Sequence, residues 1–266
     1  MPSTLTAGML RFVRDCTRFP GPLWYLALDA GQRRPSRRMI VSNLQLFLAA
    51  KTLRCDSSLD GWALLKEERL ERSGVTTNPS LIAKEGKPIE EQVRAICDII
   101  DGDISAEVVA TEFKAMVDEG RKLSKIHKNI IVKLPLLRDG VQACKLLQGE
   151  GIRVNVTLCF QAAQGLLVAK AGAYIISPFV GRIDDMGADG MILVHDLVQI
   201  YKNYNFKTQI LAASLRTPNH VIAAAKAGAH IGTLPFKTLD SLFSHPLTDK
   251  GLEQFLKDYA KVFGAK

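Results

Sequence analysis

Two nearly identical heptapeptides, Ala-Lys-Ala-Gly-Ala-Tyr-Ile (169–175) and Ala-Lys-Ala-Gly-Ala-His-Ile (225–231), lie 56 residues apart in the chain. Each fits the end of a helix, a glycine cap, and entry into a strand. The spacing equals two βα units, so the echo predicts a repeating βα architecture. Short β-rich runs recur at the matching rhythm. They are Thr-Leu-Arg-Cys-Asp (52–56), Gly-Val-Thr-Thr (74–77), Ile-Ser-Ala-Glu-Val (104–108) and Asn-Ile-Ile-Val-Lys-Leu (129–134). Four more follow: Arg-Val-Asn-Val-Thr (153–157), Ala-Tyr-Ile-Ile-Ser (173–177), Gln-Ile-Leu-Ala-Ala (209–213) and Ala-His-Ile-Gly-Thr (229–233). Amphipathic stretches lie between and after them, with Val194, Leu197, Val198 and Tyr201, and again Leu252, Phe255, Leu256 and Tyr259, at i, i+3, i+4, i+7. Eight such units predict a closed (β/α)8 TIM barrel, ending in a C-terminal helix. An open doubly wound sheet is the alternative, and no GxGxxG follows any strand to favour it.

Composition narrows the class. The 266 residues are 47% hydrophobic and 23% charged, close to the globular average. No apolar run reaches the ~18–20 residues a membrane helix needs. Cysteines 16, 55, 97, 144 and 159 form no CxxC and read as free thiols of a reducing compartment, which implies the cytoplasm. The net charge is +8, but its distribution is uneven. Residues 1–54 hold nine Lys/Arg against two acids, whereas the remainder holds 26 against 25. The basicity therefore belongs to the N-terminal segment, which argues against a nucleic-acid face on the folded body.

That segment includes Arg33, Arg34, Arg37 and Arg38 around Pro35, and Phe-Pro-Gly-Pro at 19–22, with no sustained periodicity. Residues 1–50 are expected to be a poorly ordered extension, such as an upstream start would add, with 51–266 forming the barrel domain. An Arg-rich organellar targeting segment and a partner-binding arm are the alternatives. The five histidines show no metal-ligand spacing and no GxxxxGK[ST] loop is present, so neither metal nor cofactor is expected.

In a barrel the C-terminal strand ends carry the chemistry. The polar residues there are Asp56, Thr76, Thr77, Asn78, Glu107, Lys133, Asn155, Thr157, Ser177 and Ser214. Lys133 interrupts Asn-Ile-Ile-Val-Lys-Leu-Pro, a run otherwise suited to burial. Desolvation favours a neutral amine, which can attack a carbonyl and form a Schiff base. The plain alternative is a lysine that snorkels to the strand end. Asp56 and Glu107 could supply proton transfers for carbon–carbon cleavage, or be ordinary salt-bridged acids. Asn78-Pro79 ends a strand and opens a helix, so Asn78 is also a natural cap. Arg182 and Arg216 lie just past strand ends and could hold a phosphate, or pair with loop acids such as Asp184 and Asp185.

Six pieces in order carry a specific resemblance. They are Gly-Val-Thr-Thr-Asn-Pro-Ser-Leu-Ile-Ala-Lys-Glu (74–85), Ser-Ala-Glu-Val (105–108) and Ile-Val-Lys-Leu-Pro (131–135), then Val-Asn-Val-Thr-Leu-Cys-Phe (154–160), Ser-Pro-Phe-Val-Gly-Arg-Ile-Asp-Asp (177–185) and Ala-Ala-Ser-Leu-Arg (212–216). Residues 74–262 resemble the transaldolase family, in its short bacterial form. The resemblance implies a (β/α)8 barrel and Schiff-base aldol chemistry without a cofactor. It implies that Lys133 forms the imine, that Glu107 and Thr157 hold a catalytic water, and that Asn78 and Asn155 bind substrate hydroxyls. Ser177 and Thr76 would line the substrate, and Arg182, Arg216 and Ser214 would hold a phosphate. The similar fructose-6-phosphate aldolases carry Gln and Tyr where this chain has Glu107 and Phe179, so those two residues resemble transaldolases proper. The family's first strand usually ends Asp-Thr-Ala. Here it reads Leu-Arg-Cys-Asp-Ser-Ser (53–58), and the spacing to Gly74 carries the catalytic aspartate onto Asp56.

The expected function is transfer of a dihydroxyacetone unit from sedoheptulose 7-phosphate or fructose 6-phosphate to an aldose phosphate in the pentose phosphate pathway. A fructose-6-phosphate aldolase and a non-catalytic barrel scaffold are the alternatives. The expected partners are sugar phosphates and further copies of the chain, the latter through the C-terminal helix, with no nucleic acid and no membrane.

Overall fold

The computed structural model describes residues 74–264, together with two short strands before them, β1 (Gln45–Ala49) and β2 (Thr52–Leu53). From residue 74 onward strands and helices alternate. In chain order they are β3 (Val75–Thr76), α1 (Pro79–Glu85), α2 (Ile89–Cys97), β4 (Ile104–Glu107), α3 (Phe113–Ser124), β5 (Ile130–Pro135) and α4 (Arg138–Gly149). Then come β6 (Val154–Cys159), α5 (Ala162–Lys170), β7 (Ile175–Pro178), α6 (Val180–Asp184), α7 (Gly190–Asn203) and β8 (Gln209–Ala212). The chain closes with α8 (Pro218–Ala227), β9 (Ile231–Leu234), α9 (Phe236–Asp240) and α10 (Pro246–Phe263).

Strands β3 to β9 pair in sequence order and all in parallel. These seven strands, with helices between them, make a nearly closed barrel of the expected class. The echo behaves as expected too. Its two copies are the exits of α5 into β7 and of α8 into β9, with Gly172 and Gly228 at φ 82° and 87°, where a side chain would be strained.

The first unit departs from a simple repeat. Strand β1 runs antiparallel to both β3 and β9, with Leu46 opposite Val75 on one side and Leu234 on the other. The run expected at 52–56 is seen only as Thr52–Leu53, antiparallel to β1. Two residues separate β1 from β2. That is enough for a hairpin but far too few for a parallel crossover, which needs a dozen or so. The apolar run Gln-Leu-Phe-Leu-Ala meets the open edges of β3 and β9, whose backbone groups would otherwise lack partners. Asp56 lies outside the described residues, as does the expected extension at 1–50 except for β1, which falls within it.

Alternation along the strands explains both faces of the wall. Ile104, Ala106, Ile130, Val132, Leu134, Val154, Val156, Ile176, Ile210 and Ala212 belong to the large core shared with the helices. Ile131, Ile175, Leu211, Ala213 and Ile231, one residue out of phase, form a second, smaller cluster inside the barrel. Lys133 shares the phase of Ile131, and Ser177 that of Ile175. The polar strand-end residues therefore continue the inner column above an apolar floor.

The helices bury the stripes their spacing predicts. Val194, Leu197 and Tyr201 of α7 are buried, and the Tyr201 hydroxyl donates to the Gly165 carbonyl at 2.7 Å. Helix α10 is different, because none of its residues is buried and Leu252, Phe255, Leu256 and Tyr259 are exposed. Among the described residues no helix is long and apolar enough to cross a membrane, and no cluster of three or more metal-ligating side chains occurs.

Candidate active site

A cavity of about 460 Å3 opens at the C-terminal ends of the strands. Lys133 stands at its floor, in the middle of β5. The β4–β5–β6 register sets Glu107 beside Lys133 and Lys133 beside Asn155, while Pro135 pairs with Thr157. Three inward-facing polar residues thus sit side by side because parallel strands place same-phase residues next to one another.

Lys133 Nζ lies 2.8 Å from Glu107 Oε2, with the two side chains only 6% and 11% exposed. Nζ also donates to the Thr77 carbonyl at 3.2 Å. A buried ammonium needs such partners, and here they come from the two preceding strands. Glu107 is the last residue of β4, and the loop after it is pinned from α3. The Glu119 carboxylate accepts from Val109 N at 3.0 Å and from Ala110 N at 2.9 Å. Asp139, on α4, accepts from Phe113 N at 2.9 Å and ties down the start of α3.

Below the cavity lies a closed polar chain. Ser177 Oγ donates to Asn155 Oδ1 at 2.7 Å, and Asn155 Nδ2 donates to Ser105 Oγ at 3.2 Å. All three are buried. Thr76 is buried as well and its hydroxyl reaches the Thr77 carbonyl at 3.5 Å. Asn155, Ser177 and Thr76 therefore sit behind the cavity wall instead of lining it. Thr157 does line it, and its buried hydroxyl has no hydrogen-bond partner among the described residues. The residue after it, Leu158, has φ 62°, and β6 shifts register between Val156 and Cys159. A bulge at a strand end re-aims side chains toward a site, and a non-glycine residue at positive φ marks backbone strain there.

Asn78 serves two ends at once. Its Oδ1 accepts from Leu81 N at 2.9 Å as the cap of α1, while the residue also lines the cavity. Phe179 lines it on the other side, with its ring 5.8 Å from that of Phe160.

Arg182, Ser214 and Arg216 form the far wall. Ser214 has φ 62°, which turns the chain sharply after β8. Gly181 fits against that turn, and a Cβ there would come within 2.4 Å of the Ser214 carbonyl and 2.8 Å of Arg216 Nε. Arg216 and Asp185 form a two-pronged pair: Nη2 donates to Oδ2 at 2.7 Å, and Nη1 donates to Oδ1. The hydrogen bonds from Arg216 hold the Asp185 carboxyl below its usual range, with a further contribution from the charge of Arg182. The loop-acid alternative thus holds for Arg216, and the acid is Asp185.

Of the residues singled out in the sequence, eight line one cavity: Asn78, Glu107, Lys133, Thr157, Phe179, Arg182, Ser214 and Arg216. The reading from sequence missed Ser105, although it stands two residues before Glu107 and must share its face. It also missed Glu119, Gly181 and Leu158. Nothing in their local sequence marks them: Glu119 acts on a loop nine and ten residues back, Gly181 meets a turn more than 30 residues on, and Leu158 is set apart by its backbone angle.

Comparison with known proteins agrees with this geometry. Residues 59–266 match the family described as Transaldolase/Fructose-6-phosphate aldolase. A Caulobacter protein named "Probable transaldolase" is 59% identical over 187 residues, covering 70% of this chain and 86% of that one. Proteins of the same name from Caldicellulosiruptor saccharolyticus and Clostridium botulinum are 57% and 53% identical, covering 71% and 72% of this chain and 88% of each relative. This chain is therefore a member of the transaldolase/fructose-6-phosphate aldolase family.

Proposed function

We propose that the protein is a Schiff-base transaldolase acting on sugar phosphates. The observation that carries the reading is Lys133: an amine buried inside a barrel, on the floor of an open cavity, with a carboxylate at 2.8 Å. Its neutral form attacks the ketose carbonyl at C2, and loss of water gives the imine. Glu107 takes up the ammonium proton and, with the unpartnered Thr157 hydroxyl, holds the water that shuttles protons. Cleavage of the C3–C4 bond passes the C4 hydroxyl proton to a base and leaves a dihydroxyacetone enamine on Lys133. The spacing to Gly74 gives that base role to Asp56, which precedes the family match at 59–266. The enamine then attacks an aldose phosphate, and water releases the new ketose. Asn78 orients hydroxyls, Asn155, Ser177 and Thr76 support the floor, and Arg182, Arg216 and Ser214 take the phosphate.

Transfer is favoured over release. Phe179 has no hydroxyl to protonate the enamine, and an ionised Glu107 accepts protons instead of donating them. The chain is assigned to the pentose phosphate pathway with sedoheptulose 7-phosphate or fructose 6-phosphate as donor, working in the cytoplasm where such sugars circulate. The free thiols Cys144 and Cys159 suit that compartment. The exposed apolar face of α10 suits assembly with other copies of the chain.

Borohydride reduction in the presence of fructose 6-phosphate tests the reading. It should add one reduced sugar at Lys133, found by mass mapping. An adduct at another lysine, or one that persists in Lys133→Ala, overturns it.

A further inference from the structure

Arg216 is held at three points besides its neighbours in the chain. Its guanidinium pairs with Asp185. Its carbonyl accepts from Thr238 Oγ1 at 3.1 Å. Its backbone N–H donates to Nδ1 of His220 at 3.2 Å. His220 stands in the first turn of α8, where its own N–H donates to the capping Thr217 hydroxyl at 3.2 Å. Because Nδ1 accepts, the ring proton of the neutral imidazole sits on Nε2. Nε2 faces Asp184 Oδ2 at 3.2 Å. The approach is off-line for a hydrogen bond, so Asp184 Oδ2 is a buried oxygen without a hydrogen-bond partner among the described residues. The other oxygen of Asp184 accepts from Gly190 N at 2.9 Å and is fixed to the start of α7.

We propose that His220 is a positioning residue for the phosphate end of the cavity, acting through Arg216. This rests on the phosphate-binding role proposed above for Arg216. The argument is geometric. The two arginines come from different units, Arg182 on α6 and Arg216 after β8, and a shared anion needs both at a set separation. Asp184 and Asp185 belong to the segment that carries Arg182. Asp185 grips the side chain of Arg216, and Nδ1 of His220 holds its backbone N–H from the first turn of α8. The Arg216 loop is thus tied at two levels, to the Arg182 segment through Asp185 and to α8 through His220. His220 is the link at the backbone level, which the Asp185 pair cannot replace because a long arginine side chain can keep its partner while its backbone drifts.

The test titrates inorganic phosphate into wild type, Arg216→Ala, His220→Ala, His220→Asn and His220→Gln by calorimetry. Asparagine puts an amide oxygen near the place of Nδ1 and can accept from Arg216 N–H. Glutamine reaches toward Asp184 but offers no acceptor at Nδ1. Loss of one backbone bond should weaken phosphate binding about 2–12-fold in His220→Ala and His220→Gln, with His220→Asn close to wild type. Steady-state kinetics on fructose 6-phosphate should show KM rising by the same factor with kcat little changed. Should His220→Ala fail to fold, the contrast between Asn and Gln still decides. If Asn and Gln bind phosphate equally, or His220→Ala binds it as wild type does while Arg216→Ala does not, His220 is not a positioning residue and the phosphate site stands. If Arg216→Ala binds phosphate as wild type does, the site itself is misassigned and the proposal falls with it.

Discussion

The two ends of the cavity are built differently. At the imine end, Lys133 and Glu107 stand on adjacent parallel strands, almost fully buried, and their meeting follows from strand register alone. At the phosphate end, Arg182 and Arg216 sit on a five-residue helix and a loop, and Arg216 and Asp185 are about half exposed. Their placement depends on hydrogen bonds between side chains 31 residues apart in the chain and on the absence of a side chain at Gly181. On the proposed reading, the imine end needs a fixed, dry geometry for bond making, and the phosphate end meets a highly hydrated dianion. A rigid strand wall serves the first need and a tethered loop the second.

This contrast predicts a graded response to substitution. The largest effect should come from Lys133→Ala, which removes the amine that forms the covalent intermediate. Turnover should fall on the order of 10³-fold or more, measured as erythrose 4-phosphate-dependent consumption of fructose 6-phosphate. A variant that keeps a tenth of wild-type activity would show that the buried lysine is only structural. Glu107→Gln should come next, slowing transfer about 10²–10⁴-fold as the proton acceptor is lost. The same change, and more clearly Phe179→Tyr, should raise the share of free dihydroxyacetone released without an acceptor. Unchanged partitioning in both variants would remove the argument for a transferase over a lyase.

Arg216→Ala should act on affinity more than on chemistry. A lost charge-assisted bond of about 1.5–3 kcal/mol raises KM for phosphorylated donors about 10–150-fold. Turnover of unphosphorylated fructose should change much less, and an equal fall on both would mean that the arginine holds the fold. The smallest effect lies away from both ends. Burial holds the His230 imidazole below its ordinary pKa, and its Nδ1 accepts from Ile210 N at 3.1 Å, which requires the neutral ring. As pH falls past the ordinary value of about 6.5, the unfolded chain takes up this proton before the folded one does. The contribution of His230 is therefore complete above that value and declines as pH falls toward the lowered folded value. Between about pH 7.5 and pH 5.5 the wild type should lose more Tm than His230→Asn, and equal losses would contradict this.

Much of the fold is legible in the residues because a parallel barrel strand carries two messages at once. Apolar outward residues such as Val132 and Val156 meet helices, and the alternate phase carries Lys133, Glu107 and Thr157 inward together. A period of two is local, so it survives in the sequence. The echo at 169–175 and 225–231 is local in the same sense, since at both places a glycine at positive φ ends the helix and turns the chain into a strand. The inward and outward phases of residues 74–264 were legible on these grounds, with Asn78, Glu107, Lys133, Thr157 and Ser214 at one mouth, but not the burial of Thr76, Asn155 and Ser177 away from it.

Other features depend on contacts that no window of sequence contains. Lys133 reaches the Thr77 carbonyl across 56 residues, and Asn155 reaches Ser105 across 50. Whether Arg216 pairs with Asp184, Asp185 or neither follows from how α6 docks beside the turn at Ser214. That Asn155 and Ser177 satisfy each other behind the wall, while Thr157 is left with a free hydroxyl in the cavity, is likewise a matter of packing. The antiparallel β1 is the sharpest case. Its apolar run suits any strand, the short connection makes β2 antiparallel to it, and its antiparallel pairing with β3 and β9 is seen only in the structure. Local pattern thus settles which way each side chain faces. The three-dimensional arrangement settles which partner it meets, because hydrogen bonds and ion pairs act over a few ångströms of space and take no account of distance along the chain.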